Sequence, residues 1–381
     1  MKRTLYVLAI GVFGIATTEL GVIGILPQLA AAFHVSIDKA GWLLSSFAIV
    51  IAVCGPFMTL LFSWLDKRKT MLFVLALFTI SNIVSAMAVS FNVLLLARIL
   101  PAFMHPVFWS VALATAAGSV PQTESPKAVG IVFGGFTIAS VLGIPVVSFI
   151  AALYGWQASF VMCAAVNTLS LLGLLLWLPA FPVTEKTTYG KQLLILKKPV
   201  LWINFVLACL IVAAMYASYG YLAAYLRDIT KMNGKEVSLM LMIFGFTGIA
   251  GNWLAGKMLS RNIAATTIIF IALLSLSHIV VFYAGAYYIP MVIVIFLWGF
   301  IHTGGFLISN INVTTAASEA PEFVNSIFTT CGNLAVTIGS VVGGAVIAHV
   351  GLRQVVWSSV VLLVLSTPVW ALAQYRSRVK S

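Results

Sequence analysis

The sequence predicts an all-α polytopic membrane protein, with twelve transmembrane helices in two pseudo-symmetric six-helix bundles. Three observations carry that expectation. Hydrophobic residues make up 62% of the 381 residues and charged ones 8%, with a mean hydropathy of +1.10, far from the roughly 45–50% apolar and 25% charged of a soluble domain. The apolar blocks run about 20 to 28 residues, the length a helix needs to cross about 30 Å of hydrocarbon, and they lack the strict alternation of a spanning strand. The longest polar interruption, Pro179 to Pro199, separates six such blocks from six.

In order, the spans fall at 4–32, 41–63, 70–89, 92–117, 127–153, 157–178, 200–226, 237–257, 264–285, 288–314, 325–349 and 354–375. Short polar or Gly/Pro segments separate them. Met1-Lys2-Arg3 before an apolar run that ends at Ala30-Ala31-Ala32 has the look of a secretory leader. The run is too long for a leader's hydrophobic region and contains Glu19, so it is read as an uncleaved first span. The domain division that follows is an N-terminal bundle over 1–178, a cytoplasmic linker over 179–199 and a C-terminal bundle over 200–381.

Lysine and arginine set the expected orientation. With the N-terminus inside, fifteen basic residues fall in cytoplasmic segments and five outside, with Arg98 left within a span. That asymmetry is the positive-inside signal and puts both termini in the cytoplasm. It also accounts for the net charge of +12 as membrane anchoring, with no nucleic-acid partner implied. Cys54, Cys163, Cys209 and Cys331 all lie within spans without metal-ligand spacing and read as packing residues.

The halves repeat weakly. An offset of 197 lays Ala102-Phe103-Met104-His105 on Gly299-Phe300-Ile301-His302, and an offset of 196 lays Gly143 on Gly339 and Gly155 on Gly351. Two similar bundles that rock about a site are how many secondary transporters are built.

Thr17-Thr18-Glu19-Leu20-Gly21 in the first span, Leu96-Ala97-Arg98 through His105-Pro106-Val107-Phe108-Trp109-Ser110 in the fourth, and Gly134 and Gly143 with Pro145 in the fifth resemble the major facilitator superfamily. Within it they are similar to the drug:proton antiporter group, and most narrowly to bacterial sugar efflux transporters and arabinose efflux permeases. The resemblance covers nearly the whole chain and implies the major facilitator fold, alternating access and the bacterial inner membrane. It makes Gly134, Gly143 and Pro145 the antiporter motif and Asp66, Lys67 and Arg68 a conformational latch. Two departures stand out. The loop signature Gly-x-x-x-Asp-Arg-x-Gly-Arg-Arg appears as Phe62-Ser63-Trp64-Leu65-Asp66-Lys67-Arg68-Lys69, and the fifth-span Gly-Pro-x-x-Gly-Gly as Gly143-Ile144-Pro145-Val146-Val147-Ser148.

Glu19 is the one acid deep in a span. A carboxylate near the bilayer centre costs on the order of 2.5–3.5 kcal/mol on insertion scales, so it must be protonated, paired or facing a wet cavity. At 1.5 Å per residue it lies about 22 Å above Thr4, a level that Arg98 can share from the opposite side. Glu19, Arg98 and His105 are therefore the expected proton-coupling residues, with Arg98 stabilising the ionised carboxylate. Arg98, Ala102, His105 and Trp109 recur at i, i+4, i+7 and i+11 and form one helical stripe.

For substrate the candidates are Trp109, Tyr216, Tyr219, His302, Asn310 and Asn333. Rings and hydroxyls at Tyr216 and Tyr219 share a face, and amides can hydrogen-bond a sugar or a neighbouring helix. Tyr221 and Tyr225 read as interfacial anchors, and the span glycines, Gly134 and Gly135 among them, as close helix contacts. No Gly-x-x-x-x-Gly-Lys-Ser/Thr, His-Glu-x-x-His or Gly-x-Ser-x-Gly is present, which argues against ATP-driven transport and an intramembrane enzyme. The expected function is a proton-coupled exporter of sugars or sugar-like compounds, acting as a monomer without cofactor. A multidrug antiporter and an uncoupled facilitator are the alternatives.

Overall fold

The computed structural model describes residues 2–62, 65–121, 125–178, 196–317 and 321–378. Among these, twelve spans are long and apolar enough to cross a membrane. Of the expected linker, 179–195 lies outside the described residues, and so do Glu185, Lys186 and Lys191.

The helices are α1 (Lys2–Leu20), α2 (Val22–Ala32), α3 (Ile37–Ala40), α4 (Trp42–Phe62), α5 (Lys67–Ala86), α6 (Phe91–Ala102), α7 (His105–Gly118), α8 (Ser125–Ile138), α9 (Ile144–Tyr154), α10 (Trp156–Trp177), α11 (Pro199–Tyr219), α12 (Leu222–Asp228), α13 (Gly234–Leu259), α14 (Ile263–Ala284), α15 (Tyr288–His302), α16 (Gly304–Ala316), α17 (Pro321–His349) and α18 (Val355–Arg378). Contacts divide the chain into a first unit, Met1–Val35 with Val53–Lys186, and a second, Ser36–Ala52 with Thr187–Ser381.

Several spans are not single helices. The first breaks at Gly21, the fourth between Ala102 and His105, the seventh between Tyr219 and Leu222, and the tenth at Thr303, while the fifth passes through a π-helical turn, Ala139–Gly143. Proline accounts for the fourth: Pro106, in the first turn of α7, has no N–H to return to Ala102. Pro101 likewise cannot donate to Ala97, and the Ser81 hydroxyl of α5 donates to that carbonyl instead at 2.6 Å. The break corrects the expected continuous stripe, since Arg98 and Ala102 end one helix while His105 and Trp109 begin the next.

In the first unit α1 packs on α8 and α10, α5 on α10, and α2 on α9. These approaches are close because glycine faces the neighbouring backbone. A Cβ at Gly135 would strike the Ala9 carbonyl, and one at Gly143 would lie 2.8 Å from Thr17 Oγ1. Gly134 departs from its expected role, because a Cβ there would meet nothing within 4 Å. The helical repeat turns Gly135 toward α1 and its neighbour away. Asp66 caps α5, its carboxylate accepting from the Lys69 N–H at 2.8 Å, and Arg68 donates to the Leu175 carbonyl in the last turn of α10 at 2.6 Å.

In the second unit α11 packs on α16, α17 and α18, α13 on α15, and α14 on α18. Leu201, Phe205, Ala208, Val313, Val324 and Phe328 form an apolar core there. Thr337 donates to the Ser45 carbonyl and Ser340 to that of Gly41, each at 3.4 Å, and this holds Ser36–Ala52 in this unit. Tyr221 and Tyr225 are 1% and 2% exposed, which overturns their reading as interfacial anchors. Their hydroxyls donate to the Ser340 and Val281 carbonyls at 2.8 and 3.0 Å, so each phenol ties α11–α12 to a neighbouring helix.

Two outcomes are expected from thermal unfolding of the full chain in detergent. Ser81→Ala leaves the buried Ala97 carbonyl without its donor and should destabilise by about 1–3 kcal/mol. Gly135→Ala should cost roughly 1–3 kcal/mol through overpacking, whereas Gly134→Ala, facing open space, should leave the melting temperature unchanged or slightly raised.

Candidate functional site

The site in the first unit is built on the break in α1. A helix that ends inside the membrane leaves last-turn carbonyls that need donors. Arg98, 1% exposed on α6, supplies them: Nη1 donates to the Thr18 carbonyl at 3.0 Å and Nη2 to that of Glu19 at 3.1 Å. The planar guanidinium fork matches two successive carbonyls. Arg98 therefore does reach Glu19, through the main-chain carbonyl. It fixes the turn that carries the acid.

The carboxylate itself meets His105. Glu19 Oε2 is 3.0 Å from His105 Nε2, with the two side chains 14% and 8% exposed. Beside this pair the His105 ring neighbours those of Phe78 and Trp109, each at 6.4 Å. Trp109 continues to Phe136 at 5.4 Å and Phe133 at 5.7 Å, and Phe133 is exposed. An acid–imidazole pair therefore adjoins an aromatic surface in the same unit.

Thr18 is a hub that the sequence reading passed over. Its hydroxyl donates to the Gly14 carbonyl at 2.9 Å and accepts from the Asn82 amide at 3.1 Å and the Asn167 amide at 3.2 Å. Asn82 and Asn167 are 1% and 0% exposed. The signal was available: both are amides in the middle of apolar runs, the same feature that singled out Asn310 and Asn333. Their bonds gather α5 and α10 around the residue next to Glu19.

In the second unit Tyr216 and Tyr219 do adjoin, with ring centroids 6.0 Å apart. Tyr219 stacks on Phe244 at 4.9 Å and touches His302 at 4.9 Å, and His302 lies 5.2 Å from Phe244 and 6.2 Å from Trp298. Tyr216 reaches Phe306 at 6.2 Å. Asn333 donates to the Thr329 carbonyl one turn back at 3.0 Å, and the Asn310 carbonyl accepts from Thr314 at 2.9 Å. Asn312 joins α16 to Thr267 of α14 at 2.8 Å. Lys67 begins α5 beside its cap, and Pro145 opens α9 directly after the π-helical turn that ends at Gly143.

A model of the Major Facilitator Superfamily matches residues 8–335. The chain is 32% identical over 344 residues to the inner membrane transport protein YdhP of Escherichia coli (strain K12), covering 90% of this chain and 88% of that protein. It is 27% identical over 352 residues to a "Probable sugar efflux transporter" of Helicobacter pylori (strain G27), covering 92% and 90%. Among solved structures, the nucleoside transporter NupG superposes with a TM-score of 0.76 at 15% identity, covering 98% of this chain and 99% of that one. A bacterial homologue of the human lysosomal transporter Spinster, inward-facing and unoccupied, gives 0.71 at 16% identity, covering 98% and 96%. At such identities the structural likeness speaks for the fold alone, which is the twelve-helix major facilitator fold. With a family model spanning most of its length and a relative above 30% identity over nine-tenths of it, this chain belongs to the Major Facilitator Superfamily and is a membrane transporter rather than an enzyme.

Proposed function

We propose that the protein is a proton-coupled antiporter that exports small molecules, sugars or sugar-like compounds foremost, by alternating access across a bacterial inner membrane. The observation that carries this reading is the Glu19–His105 pair at 3.0 Å. A carboxylate and an imidazole in contact can hold one proton between them in one state and release it in another. Protonation removes the ion pair and lowers the cost of moving the site through a low-dielectric state. Arg98 acts as a positioning residue, because its bonds to two main-chain carbonyls persist whichever way the carboxylate titrates.

The relatives support the setting. One is named for the inner membrane and another for sugar efflux, and the fifteen-to-five distribution of basic residues supports cytoplasmic termini. Trp109 supplies a stacking face next to the proton pair, and Tyr216, Tyr219 and His302 supply rings and polar atoms in the second unit; Asn310 and Asn333 are the weaker substrate candidates. Asp66, Lys67 and Arg68 are assigned the latch, and Gly134, Gly143 and Pro145 the antiporter motif. One chain is taken to hold the complete pathway. A second reading, multidrug efflux, draws on the run of apolar rings from Trp109 to Phe133 and Phe136 beside Glu19, a surface suited to lipophilic solutes.

Proteoliposomes with an imposed pH gradient, screened with pentoses, thiogalactosides, nucleosides and cationic or neutral drugs, test substrate and coupling together. Glu19→Gln should abolish gradient-driven accumulation while downhill exchange of the same solute persists; unchanged uphill transport overturns the proton mechanism. Arg98→Lys replaces a fork by a point charge and should lower thermal stability by about 1.5–3 kcal/mol, with coupling reduced rather than lost in the fraction that remains folded.

A further inference from the structure

His278 lies on α14 and is 0% exposed, in a span where no acid or base accompanies it. Its Nδ1 is 2.7 Å from the Leu274 carbonyl one turn back. A carbonyl only accepts, so Nδ1 carries the proton and Nε2 presents a bare lone pair. The ring packs edge-on against Trp298 of α15, centroids 5.0 Å apart, and Trp298 in turn neighbours His302 one turn further along the same helix at 6.2 Å.

Trp298 and His302 are 1% and 5% exposed. His278 Nε2, Trp298 Nε1 and His302 Nδ1 are all buried and make no hydrogen bond among the described residues. Each such atom is destabilising while it stays unsatisfied, and the three belong to adjoining rings.

The surroundings exclude a charged partner. No acid occurs on α11, α14, α15 or α16. The charges of the neighbouring elements sit at helix ends: Arg227 and Asp228 close α12, Glu236 opens α13 and Lys257 closes it, and Arg353 precedes α18. Among the described residues the titratable side chain in ring contact with the cluster is a phenol, Tyr219 against His302, and the Tyr225 hydroxyl nearby on α12 is committed to the Val281 carbonyl of α14. Among the described residues an imidazolium here would have no counter-ion, in contrast to His105 beside Glu19.

We infer that His278, Trp298 and His302 form a neutral hydrogen-bonding site in the second unit that receives one hydroxyl group. A hydroxyl offers one donor and two acceptor positions. It donates to His278 Nε2 and accepts from the Trp298 indole N–H and from His302 as its Nδ1–H tautomer, which satisfies all three nitrogens at once. The hydroxyl belongs either to a water or to a polyhydroxylated solute. Only the second source rests on the substrate role proposed for His302, and neither depends on proton coupling at Glu19.

The test is imidazole ¹⁵N NMR on the full chain in lipid nanodiscs, labelled at histidine, with His278→Gln and His302→Gln assigning the signals. Both rings should stay neutral between about pH 6 and 8, the range over which free imidazole titrates. The His278 Nε2 resonance should sit away from the bare-lone-pair position and move toward it in Trp298→Phe, which keeps a ring but removes the N–H. If adding isopropyl thiogalactoside or arabinose moves that resonance, the hydroxyl is the solute's; if it stays at the hydrogen-bonded position, the hydroxyl is water's. A bare-lone-pair position with and without sugar, or an imidazolium spectrum in this pH range, overturns the assignment. The Glu19→Gln transport assay reads a different site, so the two ideas fail separately.

Discussion

A backbone carbonyl inside a membrane must be bonded by the protein, because no water is at hand to do it. That requirement organises the first unit around Arg98. The break at Gly21 places the end of α1 among apolar helices, and the carbonyls of Thr18 and Glu19 are bonded by one buried guanidinium. The same rule explains Ser81, whose hydroxyl fills the position that Pro101 leaves empty at Ala97. It also explains why the buried phenols of Tyr221 and Tyr225 end on carbonyls of other helices. Polar side chains in these spans are placed by the backbone's needs first.

From that placement the setting of Glu19 follows. With the turn holding Glu19 fixed through its main chain, the carboxylate side chain is left to meet His105, the first residue of α7. Thr18, Asn82 and Asn167 brace the same turn from two further helices. The acid is thus carried on a braced element while its carboxylate lies 3.0 Å from His105 Nε2.

The histidines at equivalent places in the weak repeat, His105 and His302, have different surroundings. His105 has a carboxylate within 3.0 Å. His302 has Tyr219, Phe244 and Trp298 around it, and no acid on its own helix or on α14.

Composition and block length by themselves determined the helical class, the number of spans and the isolation of Glu19, because the cost of moving polar groups into hydrocarbon is read directly from residue type. Motifs in the first, fourth and fifth spans carried the family. Helix periodicity found the Tyr216–Tyr219 pair and put Arg98, His105 and Trp109 on one stripe, but it did not foresee the break that divides that stripe between two helices. Which atoms of Arg98 and Glu19 meet, which of Gly134 and Gly135 faces α1, and the gathering of Asn82, Asn167 and Thr18 or of His278, Trp298 and His302 were decided by tertiary structure. Those contacts join residues far apart in the chain, and their geometry depends on helix rotation and on where each helix breaks, quantities that no single span encodes.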